Sequence, residues 1–126
     1  MDDLVRWLLE GDISVQYLSH KYLLNSDPAI LEQLQNRIET EGYGAEYLFH
    51  QNPNGHWGIH YYQKKWTCTH YTLLDLKNLG ISPNLKPARE MVQRMFDECM
   101  LPDGGVDMSK SELPCDICIN GMVLNY

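Results

Sequence analysis

The sequence predicts an all-α fold, and three observations carry that prediction. Nearly every segment places apolar residues at a helical period, no segment sustains the alternation of a half-buried strand, and Pro, Gly and capping residues punctuate the segment ends. With 126 residues, 44% of them hydrophobic, the chain can bury one modest core, so 1–126 reads as a single domain.

The elements follow in order. "LVRWLLEGDISVQYLSHKYLL" holds two apolar-faced helices, 3–10 and 13–25, split at Gly11-Asp12. Asp27-Pro28 supplies an N-cap and a proline at the first helical position, after which Leu31, Leu34 and Ile38 share one face of a helix over 28–41, stopped at Gly42. A short helix over 44–51 comes next. The stretch 66–79 carries Trp66, Tyr71, Leu73, Leu74, Leu76 and Leu79 over a wide arc and closes on Gly80, as a largely covered helix would. Over 86–100, Ala88, Met91, Val92, Met95, Phe96 and Cys99 form one face, with Arg89, Glu90, Gln93, Arg94 and Asp97 opposite, which is the pattern of a surface helix. A last apolar helix spans 115–126.

Composition excludes several functions. The formal net charge of -7, from 17 acidic against 10 basic residues, repels phosphate backbones and anionic lipid, so no nucleic-acid partner is expected. The chain opens Met1-Asp2-Asp3 and contains no apolar run near the roughly 20 residues of a membrane span. A cytoplasmic protein, not a transmembrane one, is therefore expected. Cys68, Cys99, Cys115 and Cys118 read as reduced thiols, because a disulfide scaffold would be smaller and richer in loops.

One internal repeat stands out. "CTHYTLL" from Cys68 aligns without gaps to "CINGMVL" from Cys118, 50 residues on, and "NPNGHW" aligns to "LPDGGV" 49 residues on. Antiparallel helix pairs with this period suit a ring or solenoid in which each pair covers its neighbour's flank.

Gly44, Tyr47, Gln51, Gly55 and Trp57 stand in the pattern G-x2-Y-x3-Q-x3-G-x-W, which resembles the QW motif of squalene-hopene cyclases and related triterpene cyclases. Tyr43 takes the place of the leading basic residue, and Met100, Gly104 and Val106 form a degenerate second copy. The resemblance extends over roughly residues 40 to 126, towards bacterial squalene-cyclase-like and prenyltransferase-like proteins. It implies a partial α/α toroid, an N-terminal portion of a longer one. It also implies a structural role for the motif, tying the end of an outer helix to the next inner helix, where a side-chain amide satisfies helix-end groups beside an indole.

Catalytic residues do not follow from that resemblance. The cyclases' D-x-D-D acid run is missing from this sequence. Asp116-Ile117-Cys118 resembles the Asp-x-Cys zinc pair of protein prenyltransferases, but no histidine follows Cys118, and a catalytic zinc needs three protein ligands. The favoured reading makes Asp116 a helix cap and Cys118 a small packing residue, with no metal and no cofactor. Cys115 and Cys118 form a lone CxxC without the preceding strand of a redox motif or the second pair of a structural zinc site. Of His50, His56, His60 and His70, only His56 and His60 have a spacing that brings two imidazoles together, and structural histidines are the favoured reading. Tyr61, Tyr62 and Trp66, with Trp57, are candidates to line an apolar pocket for a cation or to plug a small core; the plug is favoured because the chain has little interior.

Two classes stay open, and with them whether the chain is an enzyme. One is a helical-repeat domain that is non-catalytic by itself and meets another protein or its own copy. The other is one portion of an isoprenoid-handling enzyme or binding protein, taking an isoprenoid or other apolar small molecule. The apolar residues of 115–126 favour a homo-oligomer through that segment.

Overall fold

A computed structural model describes residues 2–109 and 116–126. Seven α-helices occur among them: α1 (Asp3–Leu9), α2 (Ile13–Tyr22), α3 (Pro28–Arg37), α4 (Gly42–Phe49), α5 (Thr69–Leu79), α6 (Lys86–Cys99) and α7 (Ile117–Val123). The described residues contain no strand, only an isolated antiparallel bridge between Met100 and Val106. No helix among them is long and apolar enough to cross a membrane.

Where helices end differently from the sequence expectation, backbone geometry gives the reason. The helix expected from 66 begins at Thr69, because Trp66 takes φ 75°, which a right-handed helix cannot hold. The helix expected to reach 25 stops at Tyr22, ahead of Asn25 at φ 46°. Past Arg37 the chain tightens, with the Ile38 N–H donating to the Gln35 carbonyl at 3.1 Å, instead of continuing to 41. Of the final segment expected to be helical, Cys115 lies outside the described residues, and α7 starts after Asp116.

The chain divides into two compact units. The first takes residues up to His50 together with Leu76–Ser82. In it α2 packs against α1, α3 and α4. Ile13, Tyr17, Leu34 and Ile38 form its core, with Leu18, Leu31 and Ile81 against them. Burying each such side chain contributes about 1.5–3 kcal/mol. Asp12 joins two helix starts, since its Oδ1 accepts from the Ser14 N–H (2.8 Å) at the head of α2 and its Oδ2 accepts from the Tyr43 N–H (2.9 Å) in α4. Gln35 Nε2 donates to the Tyr17 hydroxyl (3.1 Å) and to the Gly80 carbonyl (2.9 Å), closing the polar edge of the core.

The second unit takes Gln51–Asp75 together with Pro83–Tyr126. Its buried apolar side chains include Trp57, Tyr61, Cys68, Met91, Met95 and Val106. Met91, Met95 and Cys99 are the buried residues of α6, one turn apart on the face the sequence marks as apolar. Much of this unit is loop rather than helix, so side chains must satisfy many backbone groups.

Candidate functional site

Gly44, the first residue of the QW-like pattern, lies in α4, where a Cβ would come within 2.5 Å of the Ile38 carbonyl oxygen. A glycine is what lets the start of α4 approach the end of α3. Tyr47 is half-buried in the same helix. The other three residues of the pattern belong to the second unit. There Gln51 Nε2 donates to the Gly55 carbonyl at 2.9 Å, across a turn in which Gly55 holds φ 87°. Trp57 is 2% exposed.

A threonine outside the pattern closes the arrangement. Thr69, the first residue of α5, accepts from the Trp57 N–H at 3.1 Å and donates to the Trp57 carbonyl at 3.2 Å. His56 Nδ1 lies 2.9 Å from the same hydroxyl. A hydroxyl has one proton and two lone pairs. With its proton on the Trp57 carbonyl and one lone pair on the Trp57 N–H, Thr69 has one lone pair left, so His56 carries its proton on Nδ1 and keeps Nε2 as the basic nitrogen. Burial, then Arg94 and His60, hold the His56 pKa below its ordinary value.

The His56 and His60 rings stack at 5.4 Å with 19° between planes, so the two imidazoles meet face to face and do not converge on a common point. Among the described residues no group of three His, Cys, Asp or Glu could hold a metal ion. Tyr61 is fully buried and donates its hydroxyl to Glu98 Oε2 at 3.0 Å. Burial first, then the Glu98 carboxylate, raise the phenol's pKa. Glu98 also receives Arg94 Nε at 2.6 Å, and that guanidinium holds the carboxyl below its ordinary range. Arg94 Nη1 reaches back to the Asn54 carbonyl at 2.7 Å, so α6 is tied to the turn. An open hollow of about 380 Å³ lies beside this tie, lined by Asn52, Pro53, Gly55, Glu90, Met91 and Arg94 among others.

Tyr62 is half-buried, and its ring and hydroxyl meet Tyr71. Trp66 is 69% exposed and leans on Tyr71 at 4.7 Å. Tyr61 therefore lies in the core while Trp66 faces outward. His50 is exposed and pairs with Glu46 at 3.0 Å. Asp116 caps α7, its Oδ1 accepting from the Cys118 N–H (2.8 Å) and the Ile119 N–H (3.3 Å). Cys118 is an exposed free thiol.

The turn of "NPNGHW" has a counterpart in "LPDGGV". In the first, Asn52 N–H donates to the His56 carbonyl (2.9 Å) and Gly55 N–H to the Asn52 carbonyl (2.8 Å); in the second, Leu101 N–H donates to the Gly105 carbonyl (2.7 Å) and Gly104 N–H to the Leu101 carbonyl (2.9 Å). Asn54 and Asp103 each accept, through Oδ1, from the N–H two residues on. Gly55 and Gly104 both hold φ 87°. Trp57 and Val106, which follow them, are 2% and 3% exposed. Val106 is held as Trp57 is, by one side chain of the next helix: its N–H donates to Asn120 Oδ1 (2.8 Å) and its carbonyl accepts from Asn120 Nδ2 (2.9 Å).

Thr69, Glu98 and Asn120 are the residues the sequence reading missed. Thr69 and Asn120 carry no spacing signal of their own, because their partners are backbone groups of a residue 12 and 14 positions earlier. No family model, curated protein or solved structure matches this chain.

Proposed function

We propose that this chain is a helical-repeat module, non-catalytic as an isolated chain, of the squalene-cyclase-like and prenyltransferase-like kind that its QW-like pattern resembles. The observation that carries the reading is the pair of turns with matching hydrogen bonds, 49 residues apart, each ending in a buried residue clasped from the following helix. A repeat built on a shared clasp is what stacked helix pairs require, and a partial α/α toroid is the architecture it supports. The polar groups around the first clasp are engaged in holding it: Gln51, Thr69, His56 and Tyr61 each have an internal partner. That is how a structural joint is built, with its polar groups turned towards partners inside the fold.

The module works by contact, in the cytoplasm, and its partner is a second copy through the C-terminal residues. Ile117 and Leu124 are 86% and 88% exposed, which leaves apolar surface open to association. Light scattering at high micromolar concentration tests this. A dimer that dissociates when Met122 and Leu124 are both replaced by Glu supports it, and a monomer near 14.7 kDa overturns it. The reading as a portion of an isoprenoid-handling protein rests on the row Tyr62, Tyr71 and Trp66, whose outer face is accessible at Trp66.

A further inference from the structure

His70, the second residue of α5, has no exposed surface. Its Nδ1 lies 2.8 Å from the Tyr126 hydroxyl, which also points at Met95 Sδ on α6, 3.6 Å away. Its Nε2 is buried with no hydrogen-bond partner among the described residues. A single phenolic proton serves two neighbours. If it points to the sulfur, Nδ1 carries the imidazole proton and donates to the phenol oxygen, and Nε2 buries a bare lone pair. The reverse arrangement buries an orphan N–H, which proteins tolerate less well.

Among the described residues, the titratable rings against this imidazole are Tyr71 on α5, Tyr62 from the preceding loop and Tyr126, whose hydroxyl meets Met95 of α6 and which has the Cys68 thiol beside it. The Tyr62 and Tyr71 rings lie 5.6 and 5.0 Å from it, and their hydroxyls face each other at 3.5 Å. None of these groups is a carboxylate. Among the described residues, an imidazolium here would bury a second N–H without an acceptor and a charge with no carboxylate side chain against it. Burial accordingly holds the His70 pKa below its ordinary value.

We propose that His70 is an acid-sensitive latch on residues 122–126: neutral, it retains the Tyr126 hydroxyl, and protonated, it leaves its enclosure and frees that segment. The Asn120 clasp on Val106 contains no titratable group and stays closed, so the release is local. The sign follows from linkage. Above the open-state value, about 6.5, both forms are neutral and the latch is at full strength; as pH falls towards the lowered closed-state value, the open form alone takes up a proton, and the open-to-closed ratio rises by up to about tenfold per pH unit.

Amide exchange measured by NMR on the whole chain, corrected for the intrinsic pH dependence of exchange, tests the latch. The N–H groups of Leu124, Asn125 and Tyr126 are held at 3.1, 3.1 and 3.3 Å and report the closed state, while the Asn120 N–H, held at 3.0 Å by the Asp116 carbonyl, is the internal control. Protection of the three should fall by up to about tenfold per pH unit below about 6.5 while the control keeps its own, and His70→Gln should remove that acid slope. The same slope in His70→Gln overturns the proposal. So does a His70 imidazole, followed by its nitrogen shifts in the unaltered chain, that titrates near 6.5 while the three amides stay protected.

Discussion

Replacing Thr69 by Val keeps the shape of the side chain and removes the one hydroxyl that closes the first clasp. Thr69 is completely buried, and His56 beside it is 4% exposed, so water cannot take over. Three groups lose a partner at once: the Trp57 N–H, the Trp57 carbonyl and the His56 Nδ1–H. A hydrogen bond contributes about 1 kcal/mol net, so the loss of three sets the expected cost at roughly 3 kcal/mol. For a chain of this size that lowers the thermal midpoint by about 10 °C. Thr69→Ser retains the hydroxyl and loses a methyl, so it should cost only about 1 kcal/mol. Urea unfolding followed by tryptophan fluorescence reads both variants. A Val variant no less stable than the Ser variant would show that the hydroxyl is not the closing element.

Trp57→Ala should destabilise by about 3–5 kcal/mol, the usual loss for a buried large aromatic; a change of a few tenths in the same urea experiment would mean that the indole bears no weight. Gly42→Ala should cost about 2–4 kcal/mol, because φ 63° disfavours a side chain and its Cβ would collide with the Asp12 carboxylate that joins α2 and α4. Gly104→Ala, at φ 87° with nothing within 4 Å of the new Cβ, should cost only about 1–2 kcal/mol, so equal thermal shifts for the two glycines would refute the role given to Asp12. Purified protein should contain no zinc held by Asp116 and Cys118, since the Asp116 carboxylate is engaged by two N–H groups; one equivalent by elemental analysis, lost in Cys118→Ser, would reverse that assignment.

The helices themselves were legible in the sequence because their causes are local. Apolar spacing marks the buried face of α6, and Asp12, Pro28, Pro87 and Asp116 stand at helix starts through rules that operate within one turn. The all-α class follows from such signals alone. The stacking of His56 on His60 was also within reach, because four residues separate them.

Tertiary structure decided what closes the site. Thr69 meets Trp57 across 12 residues, Glu98 meets Tyr61 across 37 and Tyr126 meets His70 across 56, and no periodicity links such pairs. The same gap appears at Trp66, which the sequence groups with the apolar residues of a helix over 66–79 but which lies 69% exposed, since its backbone takes a left-handed conformation and α5 starts only at Thr69. Local preference determines which residues turn together. Which distant hydroxyl or carboxylate satisfies a loop's buried polar groups depends on how the unit around it packs, because each buried group needs a partner and only the folded unit brings one within hydrogen-bond reach.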